Sequence, residues 1–209
     1  MKSATARAFE HVKGQVLSGA LAAGTMTSEG EIAAELGISR TPAREAFLRL
    51  EAEGLMRLYP KRGALIVPIS PAEADEVFEA RRVVESHAAR SLTGLRDEAL
   101  SAVCARLEDI IEAQRSAIAA DDLPAYAAAD AQFHHCVIAA AGNSLLTAFA
   151  AGLRERQQRL AANSVSHDLG RAEDFRAAHA ALLSALRERR ADDYAARLAE
   201  HFATARAAL

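Results

Sequence analysis

The chain is 209 residues long, 51% apolar but only 5% aromatic, with no tryptophan and a formal charge of −3. That is enough chain for two domains, and its alanine-rich composition favours helix. The charge excludes a general nucleic-acid coat protein. No run approaches the ~18 apolar residues of a membrane span, and the N-terminus lacks the apolar segment of a secretion signal, so the expectation is a soluble, cytoplasmic protein without a membrane partner.

The total charge hides an asymmetry. Up to Pro68 there are nine Lys and Arg against seven Asp and Glu, and from Ile69 onward sixteen against twenty-one. Only the N-terminal third suits a polyanion. Its first predicted helix runs from Ala4 to Leu21 on an apolar stripe of Ala8, Val12, Val16 and Leu17, and Gly24 breaks it. Thr27 or Ser28 caps a second helix, whose Glu29 and Glu31 suit the positive end of its dipole. Ile32, Ala33 and Leu36 form its apolar face. Gly37 then supplies a sharp turn.

The next helix is predicted to begin at Ser39 or Thr41, and Thr41 as the cap would put Pro42 at the first helical position. Ala43, Ala46, Phe47 and Leu50 share one face of it, while Arg40 and Arg44 lie within ~40° of each other, angled away. An ordinary solvated face would explain two such arginines alone. In a helix-turn-helix unit, however, the first turns of the second helix enter the major groove, where Arg reads guanine through two hydrogen bonds. Ser39 and Thr41 can then hold phosphates. Gly54 ends the helix. Leu55 to Leu58 and Ala64 to Val67 read as a β-hairpin with a basic tip at Lys61, Arg62 and Gly63, the wing of a winged helix that touches backbone or minor groove.

The run from Ser28 to Gly63 resembles the DNA-binding domain of the GntR family of bacterial regulators. The matching residues are Ser39-Arg40-Thr41-Pro42-Ala43-Arg44-Glu45-Ala46, then Leu50-Glu51-Ala52-Glu53-Gly54-Leu55, then Arg62-Gly63. Two positions depart from the pattern: Ala23-Gly24 replaces the usual Pro-Gly, and Gly30 stands where a helix former is usual, so the second helix is expected to fray. The resemblance implies a winged helix that binds palindromic, double-stranded operator DNA as a homodimer.

Pro68, Ser70 and Pro71 mark a junction that divides the chain into a winged helix-turn-helix domain, 1–69, and an all-helical domain, 70–209. Six helices are predicted in the second, over 71–92, 96–119, 123–140, 144–163, 173–189 and 191–208. Gly94, Asp121-Asp122-Leu123-Pro124, Gly142-Asn143-Ser144 and a polar loop from Ser164 to Gly170 separate the first five. Arg189-Arg190 closes the fifth with charge that suits its dipole. Short links favour an antiparallel bundle. Cys104 and Cys136 lie in apolar helical patterns without a CxxC neighbour and read as buried, reduced thiols.

Asp130 and His134 are i and i+4 on one face of the third bundle helix. His179 and His201 lie ~11 residues before and after the turn near Arg190, each ~16 Å from it along its helix, so an antiparallel hairpin brings them to one height. Three imidazoles and one carboxylate can then meet on a divalent transition metal, with room for a water or a ligand oxygen. His135 points ~100° away from His134. His11, His87 and His167 read as ordinary histidines.

Asp130-x-x-Phe133-His134 with the later His179 and His201 resembles the FCD effector domain of the FadR subfamily of GntR regulators, and six helices resemble its VanR-like version. That family commonly holds zinc, nickel or manganese (Zn, Ni or Mn) through these four positions, with a small organic acid beside the metal. The match to Arg81-Arg82-Val83-Val84-Glu85 implies Arg81 as the anchor of the effector carboxylate, and Gly142-Asn143 matches a second effector-site motif. Each match has a plainer reading: Arg81 and Glu85 as a helix-surface pair, and Asn143 as a helix cap. The expectation is a metal-containing, ligand-responsive regulator whose effector biases the placement of two winged helices in a dimer. The alternatives are a metal sensor, a bundle with no metal, and a helical metalloenzyme. Against the last, no general base stands beside the proposed ligands and no di-iron Glu-x-x-His pattern is present.

Overall fold

A computed structural model of the chain describes residues 2–165 and 170–209, with two compact units, Met1–Ile69 and Ser70–Leu209. The first unit begins with α1 (Ala4–Ser18), capped by Ser3 and stopped by left-handed Gly19, so the helix ends before Leu21 and does not need Gly24 to break it. β1 (Met26–Thr27) follows, then α2 (Glu29–Leu36) and α3 (Arg40–Ala52). The wing is β2 (Met56–Tyr59) and β3 (Gly63–Ile66). β1 was not foreseen: two residues carry no periodicity. It pairs antiparallel with β3 to give a sheet of order β1-β3-β2.

Local chemistry explains the helix ends. Ser28 Oγ accepts from Glu31 N–H, and the Glu31 carboxylate accepts from Ser28 N–H at 2.7 Å, a reciprocal capping box that holds α2 regular from Glu29 despite Gly30. Gly37 ends α2 with a φ of 62° and turns the chain toward α3. Ser39, not Thr41, is the N-cap residue of α3, and it makes no side-chain capping bond; Thr41 and Pro42 lie within the first turn. The core of this unit joins Ala8, Val12 and Val16 of α1 with Ile32, Ala46, Phe47, Leu50, Met56 and Ile66. Glu51 on α3 accepts from Leu58 N–H at 2.8 Å and ties helix to wing.

The second unit contains six helices among the described residues: α4 (Pro71–Thr93), α5 (Asp97–Ala119), α6 (Leu123–Ala140), α7 (Ser144–Val165), α8 (Gly170–Arg187) and α9 (Ala191–Ala207). Ser164, Val165 and Gly170 are helical rather than part of a polar loop; the rest of that predicted loop, 166–169 with His167, lies outside the described residues. α8 stops at Arg187, and Arg189 adopts a left-handed conformation after it. Its guanidinium donates to Thr93 O (2.6 Å), Leu95 O (2.8 Å) and Asp97 (2.6 Å), pinning the α8–α9 turn to the α4–α5 turn. α6 packs between α5 and α7, α4 lies against α9, and α5 against α8. Cys104 and Cys136 are free and buried. No described helix is long and apolar enough to cross a membrane.

Two glycines of the first unit set a test of this packing. A Cβ on Gly14, in α1, would meet nothing within 4 Å. Gly14→Ala is therefore expected to stabilise the unit by about 0.5–1 kcal/mol. A Cβ on Gly63 would sit 2.4 Å from the Thr27 carbonyl oxygen, at a φ of 99°, so Gly63→Ala is expected to destabilise it by more than that gain. Denaturant unfolding of both variants checks the signs; a shift in the same direction for both would contradict the β1–β3 contact.

Candidate functional site

Two regions collect chemically capable side chains, one in each unit. In the first, Arg40 and Arg44 on α3 and Lys61, Arg62 and Gly63 on the wing line one open hollow, floored by Gly30 and Phe47. The two arginines and the two wing-tip cations are exposed. Lys61 takes a left-handed φ of 62° and Arg62 N–H donates to Tyr59 O at 3.0 Å, the turn that folds the tip back. The Arg40 guanidinium lies over Gly30, 3.6 Å from where a Cβ would be, which gives that glycine a neighbour the sequence did not reveal. Ser39 and Thr41 are exposed at the start of α3 and do not line the hollow.

In the second unit, Asp130, His134, His179 and His201 come together, each buried, with ligand-capable atoms all within 4.8 Å of one another. The equal heights expected from the α8–α9 hairpin are realised: the His179 and His201 rings are 4.7 Å apart between centroids, and His134 is 5.0 Å from His179 and 5.2 Å from His201. His134 Nε2 lies 3.2 Å from His179 Nε2 and 3.3 Å from His201 Nε2. Asp130 Oδ1 is 3.6 Å from His179 Nε2.

The outer nitrogens decide what the inner ones are. His134 Nδ1 is 2.9 Å from both oxygens of Glu85, so it donates there, and its Nε2 carries a lone pair. His179 Nδ1 donates to Gln114 Oε1 at 3.1 Å, which leaves its Nε2 unprotonated too. Burial holds all three imidazoles well below the usual histidine range, hence neutral. Two lone pairs thus face each other at 3.2 Å with no proton between them. A cation resolves that conflict. Nitrogens each ~2.1 Å from one ion lie about 3.0 Å apart at right angles and about 3.4 Å apart at the tetrahedral angle, and the observed separations fall between. The residues fit a divalent metal ion.

Glu85 and Gln114 form a layer behind the histidines that sequence reasoning missed. Glu85 is fully buried and also accepts from the Tyr194 hydroxyl at 2.6 Å. It is not Arg81's surface partner: both residues are buried, and no hydrogen bond or ion pair joins them. The i, i+4 spacing suggested a pair; that α9 and α6 would supply Tyr194 and His134 instead is tertiary information. Burial pushes the Glu85 carboxyl up to about 7 and that of Asp130 to about 6, both restrained by Arg81 nearby.

Arg81 is 5% exposed, yet its Nε and Nη2 have no hydrogen-bond partner among the described residues. Its guanidinium carbon lies 4.3 Å from the Phe202 ring centroid. It lines two narrow cavities, one on the side of Asp130 and His201, the other beside His135 and Gln157. Asn143 is not brought there. It is exposed, it lines neither cavity, and its Oδ1 accepts from Leu145 and Leu146 N–H at 3.1 and 3.2 Å as the cap of α7. His135 points away from the cluster, and His11 pairs with Glu35 at 3.0 Å.

Comparison with known proteins gives this arrangement a family. Residues 76–204 match the FCD domain model, and residues 4–66 match that of the bacterial regulatory proteins of the gntR family. The chain belongs to the GntR family. It is a transcription regulator with an FCD effector domain rather than an enzyme. A curated relative, an HTH-type transcriptional regulator from the TAR-I ttuE-ttuC′ intergenic region of Agrobacterium vitis, is 37% identical over 134 residues, covering 64% of this chain and 78% of its own length. The HTH-type transcriptional repressor RspR of Escherichia coli K12 is 29% identical over 181 residues, 87% of this chain and 78% of its own. The solved structure of a GntR transcriptional regulator from Rhodococcus sp. RHA1 superposes with a TM-score of 0.76 at 20% identity, over 99% of this chain and 97% of that one, and so shares the fold.

The Glu85–His134 contact can be tested directly. Glu85→Gln keeps the volume but removes the charge that orients the ring, and is expected to weaken Zn²⁺ binding by about 10- to 100-fold. Competition against a chelator measures this, and circular dichroism checks the fold. Unchanged affinity would reduce the contact to packing.

Proposed function

We propose that this regulator binds palindromic operator DNA as a homodimer through Arg40, Arg44 and the wing, and that its FCD domain holds one divalent metal through Asp130, His134, His179 and His201 beside a small carboxylic acid gripped by Arg81. The observation that carries the reading is the convergence of three buried, neutral imidazoles and a carboxylate next to a buried guanidinium whose Nε and Nη2 have no partner. A divalent ion zinc, nickel or manganese in kind would supply Lewis acidity toward a carboxylate oxygen.

Charge balance supports an acid as the effector. A bound divalent ion, with two positive charges, would draw Asp130 and Glu85 into their ionised forms, two negative charges, and Arg81 adds one positive. The sum is one positive charge in a buried centre, which one carboxylate neutralises. A planar guanidinium grips such a group through two parallel hydrogen bonds, and Arg81 has Nε and Nη2 free for that geometry. The same balance favours the acid, rather than the metal, as the signal: four buried ligands with an oriented outer layer suit a resident ion. Repression, the activity named for the RspR relative, is the sign of regulation we assign.

For the DNA-binding unit, Arg44→Ala is expected to cost about 1–3 kcal/mol of operator binding and to relax base preference. Lys61→Ala should weaken all sequences alike and flatten the dependence on salt. Electrophoretic mobility shifts across salt concentrations separate the two effects; an Arg44→Ala protein that is folded and binds its operator as before would refute the assignment.

For the effector domain, the experiment is metal analysis of purified protein together with calorimetry of a small-acid panel. His179→Ala is expected to release the ion and lower the melting temperature, because a metal held only by the folded state stabilises it. Arg81→Lys should keep metal, fold and operator binding while losing most of the acid affinity. Metal retention should fall as pH drops through about 6, where the Asp130 carboxyl, itself pushed up to about 6, begins to protonate. Metal content unchanged in both His134→Ala and His179→Ala would overturn the metal site.

A further inference from the structure

One polar group at the effector cavity is used by nothing described so far. Tyr126 sits on α6, one turn before Asp130, and is 1% exposed. Its ring packs in an apolar cluster with Val165 and Phe175. Its hydroxyl is buried and has no hydrogen-bond partner among the described residues. Tyr126 lines the same cavity as Arg81, Asp130 and His201. Buried tyrosine hydroxyls ordinarily find a partner, since a lost hydrogen bond to water is otherwise left unreplaced. A phenylalanine would fill this cluster without that cost, so the oxygen calls for a partner that arrives from outside.

The rest of the wall limits what the partner can be. Phe78, Leu160, Phe175 and Phe202 present carbon to the cavity. The Ser164 hydroxyl, also at its edge, is already committed to Leu160 O at 2.9 Å. The free space is narrow, little more than a water occupies, so the wall must part to admit even a compact ligand. A molecule with many hydroxyls would find too few partners here and would lose hydration without return. A wholly apolar acid would leave the Tyr126 oxygen as orphaned as before.

We propose that Tyr126 is a specificity-determining residue of the effector site, donating its hydroxyl proton to a second oxygen on the ligand. The effector is then a compact carboxylic acid with a mostly apolar carbon body and one further acceptor oxygen, a hydroxy or oxo acid rather than a polyhydroxylated sugar acid. The proposal rests on the reading of Arg81 as the carboxylate anchor, and assigns the opposite end of the same ligand.

The test is calorimetry on the metal-loaded, full-length protein with matched acids: hexanoate and benzoate, their mono-hydroxy and mono-oxo derivatives substituted at each position, and gluconate as the polyol. Wild type is expected to prefer at least one mono-oxygenated acid over its parent by about three- to tenfold, the range of one neutral hydrogen bond, and to bind gluconate more weakly than either. Tyr126→Phe, which keeps the ring, should abolish that preference by weakening the oxygenated acid and leaving the parent unchanged. Metal content and operator binding should be retained, and the melting temperature of the ligand-free protein should rise or hold, since the unpartnered hydroxyl is gone. Arg81→Lys should weaken parent and derivative together and keep their ratio. If Tyr126→Phe preserves the ratio while Arg81→Lys loses both acids, the tyrosine proposal fails and the anchor stands. If acids bind equally well to Arg81→Lys, or none binds wild type, the anchor reading fails and takes the tyrosine proposal with it. Preferential binding of gluconate would overturn the assigned ligand class.

Discussion

Three imidazoles, with the Nε2 atoms of His179 and His201 at 3.2 and 3.3 Å from that of His134, form the constraint around which the helical unit is arranged. Two of them are left unprotonated by partners held behind their rings, and the Nδ1 of His201 has no partner. Glu85 on α4 takes the Nδ1 proton of His134, Gln114 on α5 takes that of His179, and burial keeps all three rings neutral. Asp130 and His134 come from α6, His179 from α8, and His201 and Tyr194 from α9. Five helices are therefore committed to one point, and the sixth, α7, closes the cavities beside it with Leu160 and Gln157. An arrangement of this kind is a poor route to stability, because neutral rings with facing lone pairs repel and buried carboxylates resist ionisation. It makes sense as a site whose missing partner is a cation.

The helical spacing made much of this legible beforehand. Asp130 and His134 lie one turn apart, and equal distances from a short turn place His179 and His201 at one level. Both are local rules, and local rules survive folding. The outer layer was hidden because it depends on which helices meet. Glu85 looked like the i+4 partner of Arg81, and nothing in the order of residues said that Tyr194, more than a hundred positions later, would take its oxygen instead. Asn143 shows the opposite case: the cap it supplies to α7 is wholly local, and its side chain remains at the surface.

In the DNA-binding unit the same division holds. Apolar periodicity gave α2, α3 and the core face of Phe47 and Leu50, while the helix starts turned on single side-chain bonds. The Ser28–Glu31 capping box fixes α2 regardless of Gly30, and Gly30 in turn leaves room for the Arg40 guanidinium. β1 contributes only Met26 and Thr27, too short for any pattern, yet its Thr27 carbonyl approaches Gly63 so closely that no side chain fits there. Gly63 thus serves the wing through the sheet that holds it, whatever its distance from a phosphate. Glu51 does comparable work at the other strand, since its bond to Leu58 N–H fixes the hairpin to the helix that carries Arg40 and Arg44. The basic side chains are exposed, and the frame beneath them is fixed by these bonds.

Unsatisfied groups concentrate around the cluster to a degree that packing alone does not demand. Arg81, Tyr126 and His201 each leave a buried polar atom without a partner, and all three border one cavity. Each such atom costs stability in the free protein, by roughly 1–3 kcal/mol where no water replaces the bond. A sequence under pressure for stability alone would have Leu or Met at position 81 and Phe at position 126, as the surrounding aromatic and aliphatic walls already do. Retaining a guanidinium and a phenol in that setting is the local inconsistency expected where function overrides packing. The donors also differ in kind, a charged planar fork and a single neutral hydroxyl, so together they define a ligand with two unlike ends separated by carbon.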